Sequence, residues 1–273
     1  MKVYISIDLE GIWGVVSSKQ LGGESTDYAR ARKLMTEEVN LVCGELFKNG
    51  VTEVLINDAH GSMDNLIIED LHPDVNLISG YPKTLSMMEG VDEEIDCAML
   101  IGYHPKVGTR EGMFEHTYAE RVISELVING EIVGETGLNA VVAGHFGVPV
   151  VLVAGDWQVT QDAQNEIGPI QTVSVKKAIS RYCARHLSKN QLKKAYAEAI
   201  TTALKKVEEA PVKRAEEPIK LQMMLNQVVM ADLAAAFPAA KRVDNMTIEY
   251  QAKDVVDMYK AFRAMVTLAE QEI

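Results

Sequence analysis

The chain has 273 residues, enough for one large domain or for a main α/β core with a smaller appended unit, and two unequal parts are the working expectation. Hydrophobic residues make up 47% and charged residues 24%, the balance of a globular protein rather than a disordered one. Acidic residues outnumber basic ones 39 to 27 and no Lys/Arg cluster stands apart, which argues against nucleic acid as a partner.

The opening MKVYISIDLEG meets Asp8 and Glu10 almost at once and so lacks the apolar core of a signal peptide. Nor does any segment approach the roughly 20 apolar residues that span a bilayer, so a cytoplasmic protein without a membrane partner is expected. Cys43, Cys97 and Cys183 show no CxxC spacing and read as reduced packing residues.

Val3 to Ile7 predicts a first buried strand. Residues from about Thr26 to Asn49 carry Ala31, Met35, Val39, Val42 and Leu46 at helical spacing, closed by Asn49-Gly50. Val54 to Ile56 predicts a second strand, so the order is β-α-β and the strands are expected to be parallel. Further strands are predicted at Cys97 to Ile101 and Val150 to Ala154, with a helix from about Glu135 to Phe146 between them. Asn129-Gly130 between apolar segments predicts a hairpin.

The chain changes character after the polar stretch around Arg181 to Asn190. A helix through Leu192, Tyr196, Ile200 and Leu204, a strand from Ile219 to Leu225, a helix near Val228 to Ala236, a strand around Ile248 and a last helix through Val255, Tyr259, Phe262 and Val266 are predicted. The fold class is therefore α/β, a mainly parallel sheet flanked by helices. Residues 1–185 are expected to form the catalytic domain, and residues 186–273 a smaller α/β domain suited to oligomerisation.

In open α/β sheets, ligands collect outside the carboxyl ends of the strands. Polar residues follow apolar runs abruptly at Asp8-Leu9-Glu10-Gly11, Asn57-Asp58-Ala59-His60, Gly102-Tyr103-His104 and Gly155-Asp156. Asp8 and Glu10, two apart, project to one side of an extended segment, where their charges repel unless a cation joins them. Imidazoles with carboxylates suit zinc or a similar divalent ion, and a bridging carboxylate lets two ions share one water. A lone strand-end His or Asp is more often a capping residue. Recurrence at successive strand ends is what points Asp8, Glu10, His60 and His104 toward a metal site. Asp58 reads as a loop cap in preference to a partner that orients a histidine, and His72 and His145 as structural.

The ordered set IDLEG, NDAH, LHPDVNLISG, IGYH, VGETGLNA and VAGD resembles the DppA-type D-aminopeptidases over nearly the whole chain. The resemblance implies a binuclear zinc centre held by Asp8, Glu10, His60, His104 and Glu135, with Asp8 bridging. Glu135, which from its Gly134-Glu135-Thr136-Gly137 setting reads first as a helix-stabilising carboxylate, enters the ligand set only through this resemblance. It also implies that His116 lies near the metals, serving either proton transfer or oxyanion stabilisation. Short peptides with an N-terminal D-residue would be the substrates and a ring-like homo-oligomer the assembly. The stretch between His104 and His116 is slightly longer than the family pattern, and Glu115 and Trp13 stand where it carries smaller residues, features that bear on substrate preference. A metal-dependent phosphatase and a non-catalytic metal-binding assembly protein are the alternatives.

Overall fold

The computed structural model describes residues 1–272. In β1 (Lys2–Ile7), Val3, Ile5 and Ile7 alternate with Tyr4 and Ser6, and all five are buried, as a strand covered on both faces requires. Ser25 caps α1 (Thr26–Lys48) by accepting from the Tyr28 N–H, and Ala31, Met35, Val39, Val42 and Leu46 form its buried stripe. The chain returns as β2 (Glu53–Asp58), parallel to β1, with β3 (Val75–Ile78) beyond it. β4 (Cys97–Tyr103) then takes the other side of β1, also parallel. Sheet growth reverses between β1 and β4, and the carboxyl ends of that pair form the crevice where such sheets bind ligands.

β5 (Ile123–Ile128) and β6 (Glu131–Ile132) form the predicted hairpin, with Asn129 at φ 50° and Gly130 at φ 86° as a tight two-residue turn demands. α2 (Glu135–His145) leads to β7 (Val150–Asp156), α3 (Trp157–Glu166), β8 (Gln171–Ser180) and β9 (Cys183–His186). The first sheet has the order β3-β2-β1-β4-β7-β8-β9 and is mainly parallel, with β9 turned back against β8. α4 (Lys189–Lys205), β10 (Ile219–Leu225), α5 (Val228–Ala234), β11 (Lys241–Arg242), β12 (Thr247–Ala252) and α6 (Val255–Ala269) follow. A second, antiparallel sheet has the order β11-β12-β10-β5-β6.

The expected boundary between residues 185 and 186 falls inside β9, which stays in the first sheet, and α4 beyond it packs on α1 and β8. The second sheet in turn draws β5 and β6 from before that boundary. Division by sheets therefore departs from the linear division, because β10 pairs with a hairpin inserted between β4 and α2. α3, β8 and β9 go beyond the sequence reading: WQVTQDAQNE is a polar helix, and in β8 the buried Val173 and Val175 are followed directly by a buried Lys176, which breaks strict alternation.

The period of two along β1 splits the interior. Val3, Ile5 and Ile7 pack with Met35 and Val39 of α1 and Tyr196 and Ile200 of α4. Tyr4 faces the other layer, with Leu138 of α2, Leu221 of β10 and Phe262 of α6. Cys43 and Cys97 are buried and their thiols are pushed up to about 12 by desolvation, as packing residues should be. Cys183 departs from expectation: it is exposed, because β9 is the last strand of the sheet and one of its faces meets solvent. Among the described residues, no helix is long and apolar enough to cross a membrane.

Candidate metal centre

Register brings the strand ends level, since Ile7 pairs with Asp58 on one side and with Ile101 on the other. Asp8 N–H donates to Ile101 O at 2.8 Å and Ala59 N–H to Ile7 O at 2.8 Å, carrying the sheet one step past its formal end. There the backbones close up. Gly11 N–H reaches Gly102 O at 2.7 Å, and a Cβ on Gly102 (φ +71°) would lie 2.1 Å from Asp8 O. Only glycine fits such an approach, which is the physical content of the IGYH motif.

Asp8, Glu10, His60 and His104 meet at this edge, and Glu135 joins them as the first residue of α2. All five are buried. His60 Nδ1 lies 3.2 Å from Asp8 Oδ1 and 2.9 Å from Glu10 Oε2. His104 Nε2 lies 3.5 Å from Asp8 Oδ2 and 3.2 Å from Glu135 Oε1. Asp8 thus presents one oxygen to each half of the cluster. His116 reaches it from the loop after β4, with Nε2 3.7 Å from Glu135 Oε1.

The second nitrogen of each ring faces a backbone carbonyl: His60 Nε2 donates to Leu21 O at 2.7 Å, His104 Nδ1 to Pro105 O at 3.0 Å, and His116 Nδ1 to Phe114 O at 2.8 Å. A carbonyl cannot donate, so each ring holds an N–H outward and turns its other nitrogen toward the carboxylates, where loss of a proton would leave a lone pair for a metal. Asp8 Oδ2, Glu10 Oε2 and His104 Nε2 are buried without a well-oriented hydrogen-bond partner. Crowded carboxylate oxygens in a dry site call for positive charge, from protons or from a cation, and the donor set fits zinc. Ligating atoms of Asp8, Glu10 and His104, and separately of His104, His116 and Glu135, lie within 4.8 Å of one another.

The protein alone neutralises the cluster with protons. Burial, and then the charge of Glu10, raise Asp8 to about 7. Burial opposes charge on His104, but Glu135 and Asp8 outweigh it and raise the imidazole to about 10. His60 is likewise raised, against desolvation, by Glu10 and Asp8. Desolvation and the neighbouring His104 charge lower His116, which stays neutral.

Surrounding groups fix these side chains. Tyr118 N–H donates to Glu135 Oε1 at 2.5 Å. Asp156 accepts from Met113 N–H at 2.8 Å and Val159 N–H at 2.9 Å, so it caps α3 and anchors the His116 loop without hydrogen-bonding to the cluster. Asp58 accepts from Asn65 Nδ2 and Leu66 N–H, the loop-capping role expected of it. His72 stacks on Phe47 and His145 ends α2, both away from the centre. Lys176 supports the cluster without a motif to mark it: its buried ammonium donates to the carbonyls of Glu10, Ile12 and Val15 at 2.6, 2.8 and 2.7 Å. The neighbouring Lys177 gave no sequence signal to tell the two apart.

A cavity of about 340 Å³ opens over the cluster, with Tyr81, Tyr118 and the α6 residues Arg263, Val266 and Thr267 in its wall. Glu115 and Trp13 do not line it. Glu115 pairs with Arg181, and Trp13 donates from Nε1 to Leu187 O at 2.8 Å, so both side chains have structural partners away from the cavity.

A family profile described as D-aminopeptidase matches residues 1–264. The chain belongs to the D-aminopeptidase family. It is 37% identical over 271 residues to the D-aminopeptidase of Bacillus subtilis strain 168, covering 98% of both chains. The solved Zn-dependent D-aminopeptidase DppA from Bacillus subtilis, described as a self-compartmentalizing protease, superposes with a TM-score of 0.96 at 36% identity, covering 99% of this chain and 98% of that one. Membership in the D-aminopeptidase family decides for a peptidase over the phosphatase and assembly-protein alternatives.

Proposed function

We propose that this D-aminopeptidase family member is a zinc enzyme that removes an N-terminal D-residue from short peptides, with Asp8, Glu10, His60, His104 and Glu135 holding two zinc ions and Asp8 shared between them. The observation that carries the reading is the division of Asp8: Oδ1 faces His60 and Oδ2 faces His104. When bound, zinc lowers the pKa of a water to about 7 and polarises a scissile carbonyl. The chain's own part is positional. Carbonyls of Leu21, Pro105 and Phe114 hold the three rings, and the narrow, buried floor keeps bulk water from the carboxylates.

His116 is proposed as the catalytic residue. Its Nε2 lone pair takes a proton at the start of hydrolysis, and the resulting imidazolium can donate to the leaving amine or steady developing negative charge. Its place beside His104 and Glu135 also allows ligation, a second reading that zinc analysis of a variant separates.

The wider proposal is a cytoplasmic enzyme assembled as a ring-like homo-oligomer. Residues 186–273 contribute to contacts between copies, and the exposed Val228, Val229 and Val243 are apolar surface suited to them. Sedimentation of the purified protein tests the assembly, and cell fractionation the location. The central test reconstitutes metal-free protein with zinc and compares D-alanyl-D-alanine with L-alanyl-L-alanine and with phosphate esters. Selective, zinc-dependent cleavage of the D-peptide is expected. Equal turnover of the L-peptide, or activity confined to esters, overturns the substrate assignment.

A further inference from the structure

The cavity over the metal cluster is lined with acidic groups, and among the described residues that line it Arg263 is the one Lys or Arg. Its guanidinium is held between two aromatic rings, with Cζ 5.5 Å from the Tyr81 ring centroid and 5.6 Å from that of Tyr118. One N–H group donates to Lys83 O at 3.3 Å and another to Tyr81 Oη at 3.3 Å. Neither partner carries a negative charge. No carboxylate of a described side chain lies within 4.0 Å of Arg263, although Glu270 on the same cavity wall is near enough to feel its field. A half-buried guanidinium fixed by aromatic faces and neutral acceptors keeps donors in reserve, in the fork that matches a carboxylate.

We infer that Arg263 binds the free C-terminal carboxylate of the peptide, making the enzyme selective for very short peptides with an unblocked C-terminus. The inference rests on the aminopeptidase reading and sharpens it. Tyr118 sets the distance: its N–H meets Glu135 Oε1 at 2.5 Å while its ring meets Arg263. Cluster and guanidinium are therefore separated by no more than about four extended residues at ~3.4 Å each. An N-terminal residue placed for cleavage at the cluster leaves room for only a short remainder before its carboxylate reaches Arg263. A longer peptide or a C-terminal amide presents no anion there, and the charged donors go unmatched.

The test uses the full chain, wild type and the variants Arg263→Gln and Arg263→Lys, with D-alanyl-D-alanine and its C-terminal amide as probes. For zinc-loaded wild type, kcat/KM for the free acid should exceed that for the amide by roughly tenfold to a hundredfold. Arg263→Gln should erase this preference through KM of the acid, with zinc content, melting temperature and turnover of the amide near wild type. Arg263→Lys should restore part of the preference, since the charge returns without the fork. Calorimetric binding of both peptides to metal-free protein reads the same contrast without turnover. Equal binding of acid and amide by wild type overturns the inference even if both are cleaved, as does an equal loss for both peptides in Arg263→Gln. Binding selectivity without cleavage by the zinc-loaded protein leaves the carboxylate site standing and sinks the peptidase reading instead.

Discussion

The imidazole of His104 lies flat against that of His116, with ring centroids 3.9 Å apart and planes 10° from parallel. Two charged rings in such contact repel strongly in a buried site, and in the metal-free protein the carboxylates beside His104 decide which one is protonated. In the metal-free protein Glu135 and Asp8 raise His104 against its burial, while desolvation and His104 lower His116, so His104 carries the charge and His116 is the neutral ring.

Removing that ring should separate chemistry from metal binding. His116→Ala is expected to lower kcat roughly a hundredfold or more, the usual scale for a positioned acid/base or oxyanion group, with zinc content unchanged. Elemental analysis alongside steady-state kinetics checks it. Zinc lost in step with activity would make His116 a ligand.

The two halves of the cluster should empty separately. His60 shares Asp8 Oδ1 and Glu10, whereas His104 shares Asp8 Oδ2 and Glu135. His60→Ala and His104→Ala should each cut bound zinc to about half after dialysis, with activity falling in both. Wild-type protein that saturates at a single zinc with full activity would rule out the binuclear centre.

Lys176 should matter to both stability and metal. Desolvation holds its ammonium at about 8, against which Asp156 and Glu38 pull upward, and that burial costs on the order of 3 kcal/mol. Lys176→Met relieves this cost but strands three carbonyls of the loop bearing Glu10, at about 1–3 kcal/mol each. The second effect is the larger. A lower melting temperature and weaker zinc retention are expected, and a variant as stable as wild type would show that water replaces the ammonium.

Lys83 supplies a pH dependence away from the ligands. Its Nζ donates to Asn57 Oδ1 at 2.8 Å and Asp58 O at 2.6 Å, and burial lowers it to about 8 from an ordinary 10.5. Between those values the unfolded chain binds more protons than the folded one, so this group's contribution to stability rises with pH over that window. The gap in denaturation midpoint between wild type and Lys83→Met should widen in favour of wild type from about pH 8 to 10.5. A gap that stays constant or narrows counts against it.

The sequence announced the metal edge more clearly than the wall above it. Asp8, His60 and His104 follow apolar strands directly, and strand ends are where a parallel sheet presents polar groups to a ligand, so position and chemistry both single them out as proposed ligands. Glu135 opens a helix, where a carboxylate has an ordinary electrostatic reason to sit, and family resemblance was needed to choose it. Lys176 and Arg263 left no such trace. One lies in a strand beside a second lysine, the other on an amphipathic helix among residues whose spacing speaks only of packing. Their meaning comes from the approach of segments distant in the chain, which local periodicity does not encode. The second sheet was hidden for the same reason, since β10 finds its partner in a hairpin formed about ninety residues earlier.

The placement of α6 gives the enzyme a timetable. Translation delivers Asp8 among the first residues and Glu135 near the midpoint, so every proposed ligand has been made while Val255 to Ala269 is still to come. N-terminal segments begin to organise first during synthesis. A nascent chain, or one cut short before Val255, carries all five proposed ligands yet lacks the α6 wall of the cavity. The wall that carries Arg263, Val266 and Thr267 is therefore the last part of the cavity to be made, after all the residues proposed to hold metal.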